Sequence, residues 1–474
     1  MLTPLAYLWW SSLLPDEYSA MDMGYADYGG GAAVGHAGHA AGSDSVSIAD
    51  LAPDPDARPD VSYSLVARAE TFSVGPGREV DGYTLNGRSP GPLIEAEQGD
   101  LVQVRLVNES VPGGVTLHWH GVDVPGAMDG VAGVTQDAVQ PGDSFTYRFV
   151  ADAAGSYWYH SHQLSHEQVQ RGLLGPLVIS PRDGVREDVD VHALAHIYEG
   201  VRTINGTEGD LDVAARPGET VRVRVINSEN GPSPVWVSGA EYRVLAVDGT
   251  DVHKPTPVSE QAVLVTAGGR MDLGVVMPSD GRDVRVEIAG ASAVVLGDGR
   301  PSTAATSRPD TFVDLLHYGS PADVGFDTDA PDREFEYVMD RRPGFVDGRP
   351  GVWWTVNGGL FPDVPMYMVS RGDVVVMRLE NNSGEVHPMH LHGHHAVVLS
   401  RDGEEATGSP WWVDSLNVEA GESYEIAFLA DNPGVWMDHC HNLPHAAEGL
   451  VAHLMYAGYA TPYVLGGAAG NEPE

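Results

Sequence analysis

An all-β chain of three consecutive sandwich or barrel domains is what this 474-residue sequence predicts, and three observations carry that expectation. From about residue 60 onward, short runs rich in Val, Tyr, Thr and Phe alternate with Gly, Pro and Asp turns. Amphipathic helical spacing is almost absent over the same span. One phrase also recurs, as "IEAEQGDLVQVRLVN" (94–108), "LDVAARPGETVRVRVIN" (211–227) and "YMVSRGDVVVMRLEN" (367–381), each a strand, a Gly-centred turn and a second strand ending in Asn.

Taken in order, residues 1–59 read as an N-terminal arm and flexible tail. "LTPLAYLWWSSLLP" is apolar for about a dozen residues, yet no Lys or Arg precedes Arg58, so the basic region of a secretory signal is missing. The stretch is too short to span a bilayer, which takes about 20 residues, and reads as a packed arm or the remnant of a membrane-associated N-terminus. "GYADYGGGAAVGHAGHAAGS" reads as a flexible linker, and Met21, Met23, His36 and His39 around it are candidates for soft-metal capture. The first domain is expected over 60–183, with strands in "VSYSLVARAETFSV", "DLVQVRLVN" and "SFTYRFV". The turn-rich "SPRDGVREDVD" opens the second, 184–326, with strands in "ETVRVRVIN" and "RMDLGVVM". The third, 327–474, follows "VGFDTDAPDREF" and includes "DVVVMRLEN" and "SYEIAFLA".

Forty-two per cent hydrophobic residues is ample for buried cores at this length. Acidic residues number 67 against 27 basic ones, a formal charge of −40, and Lys254 is the only lysine. Nucleic acid is thereby disfavoured as a partner, because phosphate binding needs a basic surface. The acidity suits either a solvated surface or adaptation to high salt. A single cysteine excludes an internal disulfide.

That cysteine sits in "MDHCHNLPH" (437–445), between two histidines with a third close behind. Twenty histidines are unevenly spread: "LHWHG" and "YWYHSHQ" fall in the first domain, "HPMHLHGHH" and "DHCHNLPH" in the third, and the second has no His-x-His. On a strand, His-x-His sends both imidazoles to one face. His118/His120, His160/His162, His390/His392 and His439/His441 are therefore four pairs suited to adjacent metal ions. The same alternation sends Cys440 to the opposite face, so the strand joins two sites. Thiolate with two imidazoles is the blue-copper set, and Cys440, His387 and His445 can supply it. Structural zinc would close one tetrahedron and leave most histidines idle, and an electron carrier would need only the Cys440 site. His394 shares the parity of His390 and His392. His192, His196, His253, His317, His395 and His453 have no partner at metal spacing.

These segments resemble the copper signatures of the multicopper oxidases, the laccase family of three cupredoxin domains. The likeness extends to "HWHGVDVPGAMDGVAGVTQDAVQPGDSFTYRF", "GSYWYHSHQ", "GLLGPLVI" and "WTVNGG", and covers residues 60 to 460. It implies three Greek-key cupredoxin-like domains and about four copper ions, one type 1, one type 2 and two type 3. By this resemblance His118 and His390 bind the type 2 copper; His120, His160 and His441 bind one type 3 copper, and His162, His392 and His439 the other. His387, Cys440 and His445 bind the type 1 copper, and His394 is structural.

The resemblance further implies one-electron oxidation of small aromatic donors, phenols or aromatic amines, coupled to four-electron reduction of O2 to water. A carboxylate must deliver protons for that reduction. Asp129 matches an acidic position beside the type 2 copper; Asp438 and Glu448 are the other candidates. The family's axial position falls on Leu450, which has no donor atom. A copper nitrite reductase would have two cupredoxin domains and no His-Cys-His feeding a second site. A cuprous oxidase would carry a methionine-rich insertion, and here the methionines are scattered. A copper-sequestering protein would bind without turnover. An extracytoplasmic monomer is expected.

Overall fold

The computed structural model describes residues 2–31, 45–297 and 304–474. Strands dominate, and the six largest sheets among the described residues form three pairs in chain order, with two two-stranded sheets beside them. In the first pair, Arg78–Leu85, Val61–Gly75, Leu101–Asn108 and Ser144–Val150 face Ile94–Glu97, Leu174–Ser180, Gly155–His160 and His118–His120. The second pair has seven and five strands, the third eight and six. All seven segments singled out as strands are strands. Alternating apolar residues such as Val102, Val104 and Leu106 are fully buried between the sheets, as a half-buried strand requires.

The recurring phrase is a corner at which the chain changes sheet. Ile94–Glu97, Leu211–Ala214 and Pro365–Val369 lie in one sheet of each pair, and Leu101–Asn108, Thr220–Asn227 and Val374–Asn381 in the other. Gly99, Gly218 and Gly372 take φ of 93°, 84° and 94° at the turn, a region where a side chain would be strained. Each terminal Asn is fully buried and donates its side-chain amide to two or more loop carbonyls: Asn108 to Val111 and Val139, Asn227 to Gly231, Val265 and Thr266, Asn381 to Glu385 and Val418. Those bonds satisfy loop carbonyls inside the fold.

The N-terminal segment departs from the expected flexible tail. Tyr25–Asp27 pairs in parallel with Pro365–Val369 and becomes the edge strand of the six-stranded sheet, because backbone groups at a sheet edge accept a further strand. Met23 is buried and Met21 packs against the third core, with the Thr461 amide donating to its sulfur; both are committed to packing. His36 and His39 lie outside the described residues. Leu2–Ser11 forms a helix beside the hairpin tip at Asp347 and Gly348, with Leu5, Tyr7, Leu8 and Trp10 more than half exposed. Among the described residues no helix is long and apolar enough to cross a membrane.

Candidate metal centre

Strand pairing brings the four histidine pairs together. His118 lies opposite His160 in the first unit, and His390 opposite His439 in the third. Only His118 and His120 both lie within a strand; His162, His392 and His441 come just after their strands end. The rings nevertheless share one pocket, with within-pair centroid separations of 4.7 to 5.8 Å. His118 and His120 contact His390 across the two units at 5.5 and 3.8 Å, and all eight histidines are buried.

Hydrogen bonds at the far nitrogens set what each ring offers. His118 donates from Nδ1 to the Asp129 carbonyl at 3.0 Å, His390 to the Asp414 carbonyl at 2.8 Å, His160 to Ser161 at 3.0 Å and His162 to Pro473 at 3.2 Å. A carbonyl only accepts, so these rings carry the proton on Nδ1 and a bare lone pair on Nε2. The two bare nitrogens of His118 and His390 face each other at 3.3 Å. His392 donates from Nδ1 to the Asp129 carboxylate at 3.1 Å, and its Nε2 lies 3.2 Å from that of His439, which lies 3.5 Å from that of His162. His120 is reversed: its Nε2 faces Ser415 Oγ at 3.0 Å and Asp414 at 3.2 Å, while its Nδ1 has no hydrogen-bond partner. His160 Nε2 and both nitrogens of His441 also have none among the described residues.

Converging lone pairs repel one another, and a cation is what removes the repulsion. Burial pushes His120, His160, His162, His390, His392 and His439 well below the usual imidazole range, and His441 down to about 3, with the neighbouring rings adding to the effect. Neutral imidazole is the form that binds metal.

On the opposite face, Cys440 Sγ lies 3.6 Å from His387 Nδ1 and 3.8 Å from His445 Nδ1, and those nitrogens are 3.2 Å apart. Ser383 Oγ occupies His387 Nε2 at 2.7 Å, and the Asn442 amide lies 3.1 Å from His445 Nε2. Burial raises the Cys440 thiol above its usual range, so the proton leaves only when a metal replaces it. Burial lowers His387 to about 3 and also lowers His445. Leu450 is fully buried beside these residues: its amide donates to the His445 carbonyl and its carbonyl accepts from the Cys440 amide. One soft thiolate with two imidazoles, backed by a pocket of imidazoles alone, fits copper.

The three carboxylates nominated from sequence part company. Asp129 touches the histidine pocket through His118 and His392. Asp438 shares the parity of Cys440, lies near Tyr337 and Tyr367, and is pushed up to about 8 by burial. Glu448 accepts from Trp354 Nε1 at 2.9 Å, on the Cys440 side. His394 bonds Tyr456 at 2.6 Å and the His392 carbonyl, away from the pocket. His395 is more than the isolated histidine its spacing suggests: it sits 3.3 Å from both Asp123 and Asp414, which hold it well above the usual range against the opposing effect of burial.

Other contributors escaped sequence reasoning. Pro473 reaches His162 from 311 residues away. Glu474 Oε1 lies 3.2 Å from His439 Nδ1, out of line for a hydrogen bond, and burial pushes that carboxyl up to about 8. Neither residue belongs to a motif. Trp354 packs on His445 at 4.4 Å and His387 at 4.8 Å, with the Arg341 guanidinium over its ring at 4.3 Å. It opens "WTVNGG", a string whose only signal in the sequence is the family resemblance.

Profiles of the multicopper oxidase family match residues 67–184 and 335–458. Laccase-1 of Botryotinia fuckeliana is 27% identical over 84% of this chain and 82% of its own length. The Iron transport multicopper oxidase FET3 of Kluyveromyces lactis is 26% identical over 84% and 78%. The crystal structure of a multi-copper oxidase from Pseudomonas thermotolerans superimposes with a TM-score of 0.69 at 28% identity, covering 84% of this chain and 99% of that one. With the fold, the donor geometry and both profiles in agreement, the chain belongs to the multicopper oxidases, copper-dependent oxidoreductases that pass electrons from a reducing substrate to O2.

Proposed function

We propose a laccase-type oxidase that takes electrons singly from phenols or aromatic amines at His445 and delivers them to O2. The observation that carries this reading is the Cys440 strand, whose neighbouring His439 and His441 reach the buried pocket while Cys440 itself faces His387 and His445. When bound, copper supplies one-electron exchange at the Cys440 site and four-electron reduction of O2 to water in the pocket. His387, Cys440 and His445 would hold the type 1 ion; His118 and His390 the type 2 ion; His120, His160 and His441 one type 3 ion, and His162, His392 and His439 the other. Leu450, which has no donor atom, would add no ligand beside that thiolate site. Asp129 orients two rings and, of the three carboxylates nominated from sequence, is the one that serves the pocket as a proton carrier, where Asp414 and Glu474 also reach histidines.

We read the chain as a monomer whose three units divide near residues 183 and 326, and as extracytoplasmic, a location that family likeness supports. The exposed Trp and Leu side chains of Leu2–Ser11 suit contact with a membrane surface.

A metal-ion reductant is the second reading, favoured by Glu385, whose carboxylate lies 3.6 Å from His445 Nε2 and is half exposed. A methionine-rich metal relay has less support, because Met366 and Met368 of "MYM" are core residues. O2 uptake measured across phenols, aromatic amines, Fe(II) and Cu(I) separates the two. Fastest turnover with the aromatic donors supports the laccase reading, and turnover confined to metal ions defeats it.

A further inference from the structure

The middle unit carries none of the proposed copper ligands, yet its turn at Gly268–Arg270 lies against the pocket. Gly268 has φ of 77°, and a Cβ there would lie 2.8 Å from His120 Cε1 and from His441 Cδ2. Two residues on, Arg270 is fully buried and forks onto Asp414: Nη1 donates to Oδ1 at 2.7 Å and Nη2 to Oδ2, while Nε donates to the Ser156 carbonyl at 2.9 Å. Asp248, also of the middle unit, accepts from the amides of Arg270 at 2.8 Å and of Asp414 and Ser415 at 3.2 Å each. Asp414 and Ser415 in turn occupy His390 Nδ1 and His120 Nε2. Those contacts decide which nitrogen each ring presents.

We propose that Arg270 and Asp248 are positioning residues of the histidine pocket, clamping the Asp414–Ser415 segment so that His390 presents Nε2 and His120 presents Nδ1 toward copper. Arg suits the task because a planar fork fixes both carboxylate oxygens, whereas a lysine would leave the carboxylate free to rotate. Burial leaves the clamp no water to substitute for a lost partner. The middle unit thus acts on the pocket through Asp414 without supplying a ligand, much as partners behind a metal ligand usually do.

This inference rests on the ligand assignment proposed above, and wild-type holoenzyme tests that assignment separately by its copper content and type 2 electron paramagnetic resonance signal. In Arg270→Gln and Asp248→Asn holoenzymes, pocket copper should be lost to a chelator at roughly 10–100-fold lower chelator concentration. The type 2 signal should change shape or fall, while blue absorption per chain stays at the wild-type level, because His387, Cys440 and His445 all belong to the third unit. Arg270→Lys should restore copper retention only in part. If Arg270→Gln fails to fold, Asp248→Asn, which keeps the side chain's shape, carries the test. An unchanged type 2 signal and chelator resistance in a folded variant overturns the proposal. So does parallel loss of blue absorption and type 2 signal, which would mark general destabilisation.

Discussion

The two donor clusters on either side of the Cys440 strand are built by opposite means. The cluster around Cys440 draws His387, Cys440 and His445 from a single unit, converges on Nδ1 atoms, and leaves His445 partly open to solvent. The eight-histidine pocket draws on both ends of the chain, mostly presents Nε2, and is sealed by groups from elsewhere: Asp129, Asp414, Pro473 and the middle unit's turn. A site for collecting electrons must meet its donor and needs little framing. A site holding several ions needs every ring locked, and an interface between units offers walls on all sides. Proximity to solvent in one and enclosure in the other follow from where the ligands sit in the chain.

The sharpest way to break that comparison is Cys440→Ser. Blue absorption should vanish completely while most copper stays bound, because the thiolate belongs to one cluster only; absorption spectra with metal analysis decide it, and retained blue colour defeats the assignment. Next comes Asp129→Asn. An amide matches the carboxylate in shape but accepts less strongly from the His118 and His392 N–H groups, so reoxidation by O2 should slow by roughly 10–100-fold while reduction of the blue site is unchanged. Stopped-flow measurement of the two half-reactions separates these effects.

A smaller effect isolates burial from ligation. His453 lies outside both clusters, is buried, and is lowered by that burial from 6.5 to about 4. A depressed histidine contributes stability that is present above pH 6.5 and lost as pH falls toward 4. His453→Leu should therefore remove up to roughly 3 kcal/mol of acid sensitivity over that window, with little change at pH 8. Melting of copper-free protein at the two ends of the window measures it, and an equal change at both would mean packing alone is responsible. The smallest expected effect is Leu450→Met. A thioether on the type 1 axis should lower the blue-site potential and slow hard-to-oxidise donors more than easy ones. Redox titration checks it, and an unmoved potential places Leu450 off the axis.

What could be read beforehand divides along the same line. Strands and the three-fold phrase were legible because period-two patterning and positive-φ glycines are local signals, visible in "GDLVQVRLVN" without a partner strand. The histidine pairs were legible for the same reason. The groups behind them were not: Asp414 lies in "WWVDSLNV", Arg270 in "GGRMDL", and neither string marks what it will touch. Such contacts depend on docking of units, and nothing in local spacing encodes that. His395 shows the cost, since its two carboxylate partners come from positions 123 and 414. Tyr25–Asp27 shows it again: its pairing with Pro365–Val369 depends on a sheet edge far along the chain.

The long reach from Pro473 to His162 also has a meaning in time. A ribosome delivers the first four pocket histidines early, more than 200 residues ahead of His390. His118 and His160 find their carbonyls, Asp129 and Ser161, within the first unit, but His120 and His162 must wait for Ser415 and Pro473 through synthesis of the whole middle unit and much of the third. His162 obtains the carbonyl that fixes its proton only when the final residues of the described chain have been made and docked. Contacts so distant in sequence form late in folding. Strands and units are therefore expected to form first and the pocket last. A chain that met copper before those contacts formed would hold it partly on His120 and His162, whose tautomers were still free, whereas the folded chain offers nitrogens already aimed.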